Sequence, residues 1–79
     1  MKARVHIMLK NGVLDPQGDA VRHALGTLGF NEVESVRQGK VIELEVKATN
    51  PVAAAEQIRD MCEKLLVNTV IETYKVEFV

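Results

Sequence analysis

Lys2-Ala3-Arg4-Val5-His6-Ile7-Met8-Leu9-Lys10 decides the fold. Ala3, Val5, Ile7 and Leu9 fall on one parity, and Lys2, Arg4, His6, Met8 and Lys10 fall on the other. A period of two, with branched residues on one side, is the pattern of a strand half-buried against a single layer. Beyond it, Asn11-Gly12 offers a turn and Asp15-Pro16 a helix start. Asp15 can accept from the orphan amides of a first turn, and Pro16 has no amide to leave unpaired. Val21, Ala24, Leu25 and Leu28 then recur at helical spacing. Gly29 is placed to end the helix in the left-handed conformation.

Farther along, Asn31 to Gln38 reads as a weak second strand, because Val33 and Val36 are three apart and a bulge is needed to restore alternation. Gln38-Gly39 is the expected hairpin loop. The next strand is plain: Ile42, Leu44, Val46 and Ala48 alternate with Val41, Glu43, Glu45 and Lys47. Asn50-Pro51 repeats the cap-and-proline device and opens a second helix. Its expected stripe is Ala55, Ile58, Cys62 and Leu65, with Leu66 beside it. From Val70 to Val79 the chain is extended again. The order strand, helix, strand, strand, helix, strand predicts a two-layer α+β domain of the split β-α-β type spanning residues 1–79. It would carry two helices, about 16–28 and 51–66, on one face of a four-stranded antiparallel sheet. The expected core is Val5, Ile7, Leu25, Leu28, Leu44, Val46, Ile58 and Leu65.

Seventy-nine residues, 47% of them hydrophobic and 27% charged, are enough for one small core and too few for two. A formal net charge of -1 lacks the basic excess that drives binding to nucleic acid or anionic lipid. The longest apolar run, Val52-Ala53-Ala54-Ala55, falls far short of the roughly 20 residues that span a bilayer. Cys62 stands alone, which excludes an intrachain disulfide framework, and no apolar signal-peptide core follows Met1. A cytoplasmic protein with neither a nucleic-acid partner nor a membrane partner is the expectation.

The chemistry search returns little. No Gly-rich phosphate fingerprint follows the first strand, and Ser35, the single serine, lies in no nucleophile motif. His6, His23 and Cys62 fall on three separate elements without metal-site spacing. Cys62 sits on a buried stripe, where apolar packing raises a thiol's pKa and hides it. Glu43 and Glu45 lie two apart on an outward strand face, which a solvated or interface role explains better than acid–base catalysis. Neither a catalytic, a cofactor-binding nor a metal-ligating residue is expected. Two loops stand out instead: Gly12-Val13-Leu14-Asp15-Pro16-Gln17-Gly18, and Val36-Arg37-Gln38-Gly39-Lys40 with two cations around a glycine. A solvated turn explains the second loop; contact with an acidic partner or a phosphate is its functional alternative. Apolar residues on the outward parities, with Met8, Val41, Tyr74 and Phe78 as candidate contacts, favour self-association.

The string from Gly12 to Gly18, the motif Val36-Arg37-x-Gly39-Lys40 and the run from Met61 to Glu72 together resemble the PurS family, the small subunit of phosphoribosylformylglycinamidine (FGAM) synthase. The resemblance covers essentially the whole chain in order. Thr69 departs from it, since the family often has proline after the asparagine. It implies a non-catalytic subunit of a glutamine-dependent ligase in de novo purine synthesis. Such a subunit forms a homodimer or higher homo-oligomer and bridges a large synthase subunit, PurL, and a glutaminase subunit, PurQ, to support ammonia transfer. It binds no cofactor itself; ATP and Mg belong to PurL. Gly12, Asp15, Gln17, Gly18, Arg37, Gly39 and Lys40 would then shape partner surfaces. The rival reading is a small metabolite-binding regulatory domain of the same fold, which fold analogy alone does not separate.

Overall fold

The computed structural model describes residues 1–79. Strand β1 (Lys2–Leu9) is followed by helix α1 (Pro16–Thr27), strand β2 (Lys40–Glu45), helix α2 (Pro51–Met61) with a π-helical turn over Cys62–Leu66, and strand β3 (Glu72–Phe78). The sheet has three strands in the order β2-β1-β3, with both pairings antiparallel. Val5 of the central strand lies between Ile42 and Val76, and Ala3 between Leu44 and Phe78. The alternation of β1 therefore translates directly into burial. Ala3, Val5 and Ile7 are sealed against Ile58, Cys62 and Val67, with Ile42, Leu44, Val46, Leu66, Tyr74 and Val76 packed around them. Both expected helix starts form. Asp15 accepts from the Gly18 amide at 2.9 Å and Asn50 from the Val52 amide at 2.9 Å, each with proline next. Gly29, at φ +99°, ends α1 while the Phe30 amide reaches back to the Leu25 carbonyl.

The fourth strand does not form. Residues 33–39 are irregular, and the Gln38 amide donates to the Asp15 carboxylate instead of to a neighbouring strand. The three-residue spacing of Val33 and Val36 cannot present one face to a sheet, so the expected four-stranded sheet is corrected to three strands. The hairpin expected at Gln38-Gly39 is absent for the same reason.

The core assignments at Leu28 and Leu65 are also corrected. Leu28 is 73% exposed because α1 projects from the domain, and neither the sheet nor α2 packs extensively against it; Leu25 is half-buried. Leu65 is 83% exposed because the second helix does not stay α-helical to residue 66. From Cys62 the Val67 amide donates to the Cys62 carbonyl, five residues back. The wider turn carries Leu65 off the packed stripe and brings Val67 to it.

Candidate functional site: the neck of the α1 arm

The loop before α1 and the loop before β2 meet. Asp15 joins them: while Oδ1 caps Gly18, Oδ2 accepts from the Gln38 amide at 2.8 Å, across 23 positions of sequence. These two amides, the Gln38 one first, hold the Asp15 carboxyl below its ordinary pKa of 3.8, with partial desolvation opposing and the nearby Arg37 charge assisting. Gly18 is buried, and a Cβ there would collide with the Val36 carbonyl oxygen. Gly39 passes so close to Met8 Sδ and the Ile7 carbonyl that a Cβ has no room. Arg37 donates from Nη2 to the Leu9 carbonyl, fastening the same crossing to the end of β1.

Beside this neck lies a cleft of about 310 Å³. Asp15 and Gln17 line one side, Gln38, Gly39 and Lys40 the other, and Glu72 of β3 contributes a carboxylate. Five of the seven expected partner residues, Asp15, Gln17, Gly18, Gly39 and Lys40, thus line the cleft or abut it. Arg37 is tied to the same crossing but does not line the cleft, and its guanidinium is engaged within the chain. Gly12 lies apart, in a turn at φ +86° with open space around it. Gln38, a member of the second loop string, and Glu72 complete the cleft, although neither is among the seven expected partner residues. The pairing of Glu72 with Leu9 in the β1–β3 register is the signal that places Glu72 there.

The expected self-association residues divide between the two sheet faces. Met8 and Val41 are on the outer face with His6 and Arg4, Val41 directly opposite His6. Tyr74 and Phe78 pair with Ile7 and Ala3, which puts them on the helix-covered face. There the Tyr74 hydroxyl donates to Glu63 Oε1 at 3.2 Å; partial burial and this bond both push its pKa up. Much of the outer face is a charge web. Arg4 Nε meets Glu43 at 3.0 Å, Lys2 reaches the same carboxylate at 3.5 Å, and His6 Nε2 lies 3.1 Å from Glu77. Arg4 chiefly, then Lys2, holds the Glu43 carboxyl below its usual range.

Nothing in this geometry assembles a reaction centre. Cys62 is fully buried, and its thiol is pushed up first by desolvation and then by the Glu63 charge, the reverse of an activated nucleophile. No group of three His, Cys, Asp or Glu side chains could hold a metal ion, and no helix is long and apolar enough to cross a membrane. The fold and its neck define a small α+β domain with a shaped surface cleft beside the crossing of two loops.

Comparison with known proteins gives the family. The family model for PurS, described as phosphoribosylformylglycinamidine (FGAM) synthase, matches residues 2–79. The chain is 49% identical over 76 residues to the phosphoribosylformylglycinamidine synthase subunit PurS of Bacillus subtilis, covering 96% of this chain and 89% of that one. Its structure matches PurS of Methanocaldococcus jannaschii, a subunit of formylglycinamide ribonucleotide amidotransferase, with a TM-score of 0.87 and 42% identity, over 96% of this chain and 92% of that one. It also matches a chain in the structure of PurLQS from Thermotoga maritima, with a TM-score of 0.90 and 36% identity, over 99% of this chain and 95% of that one. The chain belongs to the PurS family, the non-catalytic small subunit of the glutamine-dependent ligase FGAM synthase in purine biosynthesis.

Proposed function

We propose that this chain joins the large synthase subunit to the glutaminase subunit and helps close the route by which ammonia passes between them. The observation that carries the proposal is the match, over 99% of this chain, to a component of the PurLQS assembly. A bridging role needs no nucleophile. Ammonia released into water at neutral pH is protonated and unreactive, so an interface that excludes water protects it. Fixing the two centres at one separation adds an effective-concentration gain. ATP and Mg are used by the synthase subunit, the small chain acts as a dimer or higher oligomer, and the assembly works in the cytoplasm. The neck, with Asp15, Gln17, Gly18, Arg37, Gly39 and Lys40, is the contact surface for those partners, and Gly12 lies in the adjoining turn. The family match displaces the rival metabolite-sensing domain.

Lys40 is the clean probe. It lines the cleft, is exposed and makes no ion pair within the chain, whereas Asp15 and Arg37 also hold the neck together. Lys40→Glu is expected to leave the isolated chain folded and to weaken its assembly with PurL and PurQ about ten-fold or more. The reconstituted enzyme then loses glutamine-dependent synthesis while synthesis fed by high external ammonia persists. Equal loss with both nitrogen sources would contradict the bridging role, and unchanged activity with both would remove the cleft from the interface.

A further inference from the structure

The outer face of the sheet is charged in two different ways along its length. At one end every carboxylate already has a cation. Glu43 takes Arg4 and Lys2, Glu77 takes His6 and Arg4, and Glu45 lies 3.8 Å from the amino group of Met1. Past His6 the outward parities of the three strands carry no carboxylate. His6 has Val41 on one side and Lys75 on the other, and Met8 lies opposite Thr73. Lys10 follows, its amide donating to the Ile71 carbonyl. Glu72, next along β3, pairs with Leu9 and so belongs to the cleft on the opposite face. Lys10 and Lys75 make no ion pair within the chain, and neither does Arg37, which is held to the Leu9 carbonyl at the same end of β1. Beside these cations Val41 is 54% exposed and Met8 half-buried.

We propose that this end of the outer face docks an acidic segment of a partner subunit, its carboxylates on Lys10 and Lys75 and an apolar residue on Met8 and Val41. The inference rests on the bridging role proposed above and gives the bridge its second surface. A chain that joins two proteins needs two. The cleft at the neck lies on the parity of Ile7, Leu9 and Glu72, and this patch lies on the parity of Met8 and Lys75. One partner is therefore held on each side of the same strands. Charge decides the occupant. An apolar or basic surface would bury ammonium groups without a counter-ion, which is costly. A second copy has no free carboxylate to offer from this face, since those at the other end are spent on Lys2, Arg4, His6 and the Met1 amine. A two-fold meeting of like ends would set Lys10 and Lys75 against their own kind. Met8 and Val41, expected from the sequence to be self-contacts, are assigned here to a partner subunit.

Sedimentation of the chain with PurL and PurQ, under conditions that assemble the full enzyme, tests it. Lys10→Glu combined with Lys75→Glu raises the dissociation constant of the chain from the assembly about 30-fold or more. The circular dichroism spectrum and the sedimentation of the chain alone stay unchanged. Lys10→Gln with Lys75→Gln raises the constant about three-fold or more and flattens its dependence on salt, which a purely structural loss leaves in place. This milder pair keeps the test decisive should the charge-reversed one not fold. Lys47→Glu, the same change of charge just past the other end of β2 on the same parity, leaves assembly unchanged. The proposal is overturned by normal assembly of both Lys10/Lys75 variants or by equal weakening in Lys47→Glu. Altered self-association of the chain alone would give the face to a second copy and equally overturn it. Because this test reads assembly by mass and Lys40→Glu reads nitrogen transfer, failure of that reading and failure of this one are separate results.

Discussion

Asp15 has three jobs at one carboxylate: it caps α1, closes the arm against Gln38, and borders the cleft. Only the cap is visible in the residue string Asp15-Pro16, because a cap is a local matter and the bond to Gln38 is not. The two amides that lower its pKa make folding depend on its ionisation. With the folded value below the unfolded one, the stabilisation is fully present above pH ~4 and is lost as acid protonates the carboxyl through its depressed folded pKa. Glu43, held down by Arg4 and Lys2, adds to the loss in the same window. Asp15→Asn is expected to narrow the gap in Tm between pH 7 and pH 3 relative to the wild-type chain. Thermal melts at the two pH values check it, and an undiminished gap would mean that the Asp15 contacts do not persist in solution.

The elements that were legible in the sequence are those whose signals are local. β1, β2 and β3 announce themselves by alternation, and both helix starts by a capping residue before proline. What failed depends on geometry that a repeat of 3.6 or 2 cannot carry. Val33 and Val36 support no strand, and their segment is consumed by the neck. Leu65 falls on the apolar stripe only if the helix keeps α geometry, and the π-helical turn from Cys62 breaks that count. The difference is measurable. Ile58→Ala, in a fully buried site under the sheet, is expected to cost about 2–5 kcal/mol, through lost transfer energy and the cavity it leaves. Leu65→Ala, at an exposed position, is expected to change stability by no more than about 0.5 kcal/mol. Denaturant unfolding of both variants ranks them; comparable losses would restore Leu65 to the core. The cleft shows the same division. Its residues Asp15, Gln17, Gly39 and Lys40 stood out as loop strings, but that the two loops meet is a fact of tertiary structure.

At the scale of the whole molecule, the chain consists of a sheet sealed by one helix and an arm held by its neck. The buried apolar side chains, Ala3, Val5, Ile7, Ala54, Ile58, Cys62 and Val67, all belong to the first part. The arm thus has its own helix hydrogen bonds but scarcely any share in the core. A helix of twelve residues without tertiary packing is marginal in water, so the backbone of α1 opens without the sheet having to unfold. Amide hydrogen exchange resolved by residue gives this a definite form. In dilute solution the amides of Arg22 to Leu28 are expected to trade deuterium by local opening, orders of magnitude faster than those of Val5 and Ile7. The sparse packing of one helix would then appear as a second, faster clock within a chain of 79 residues.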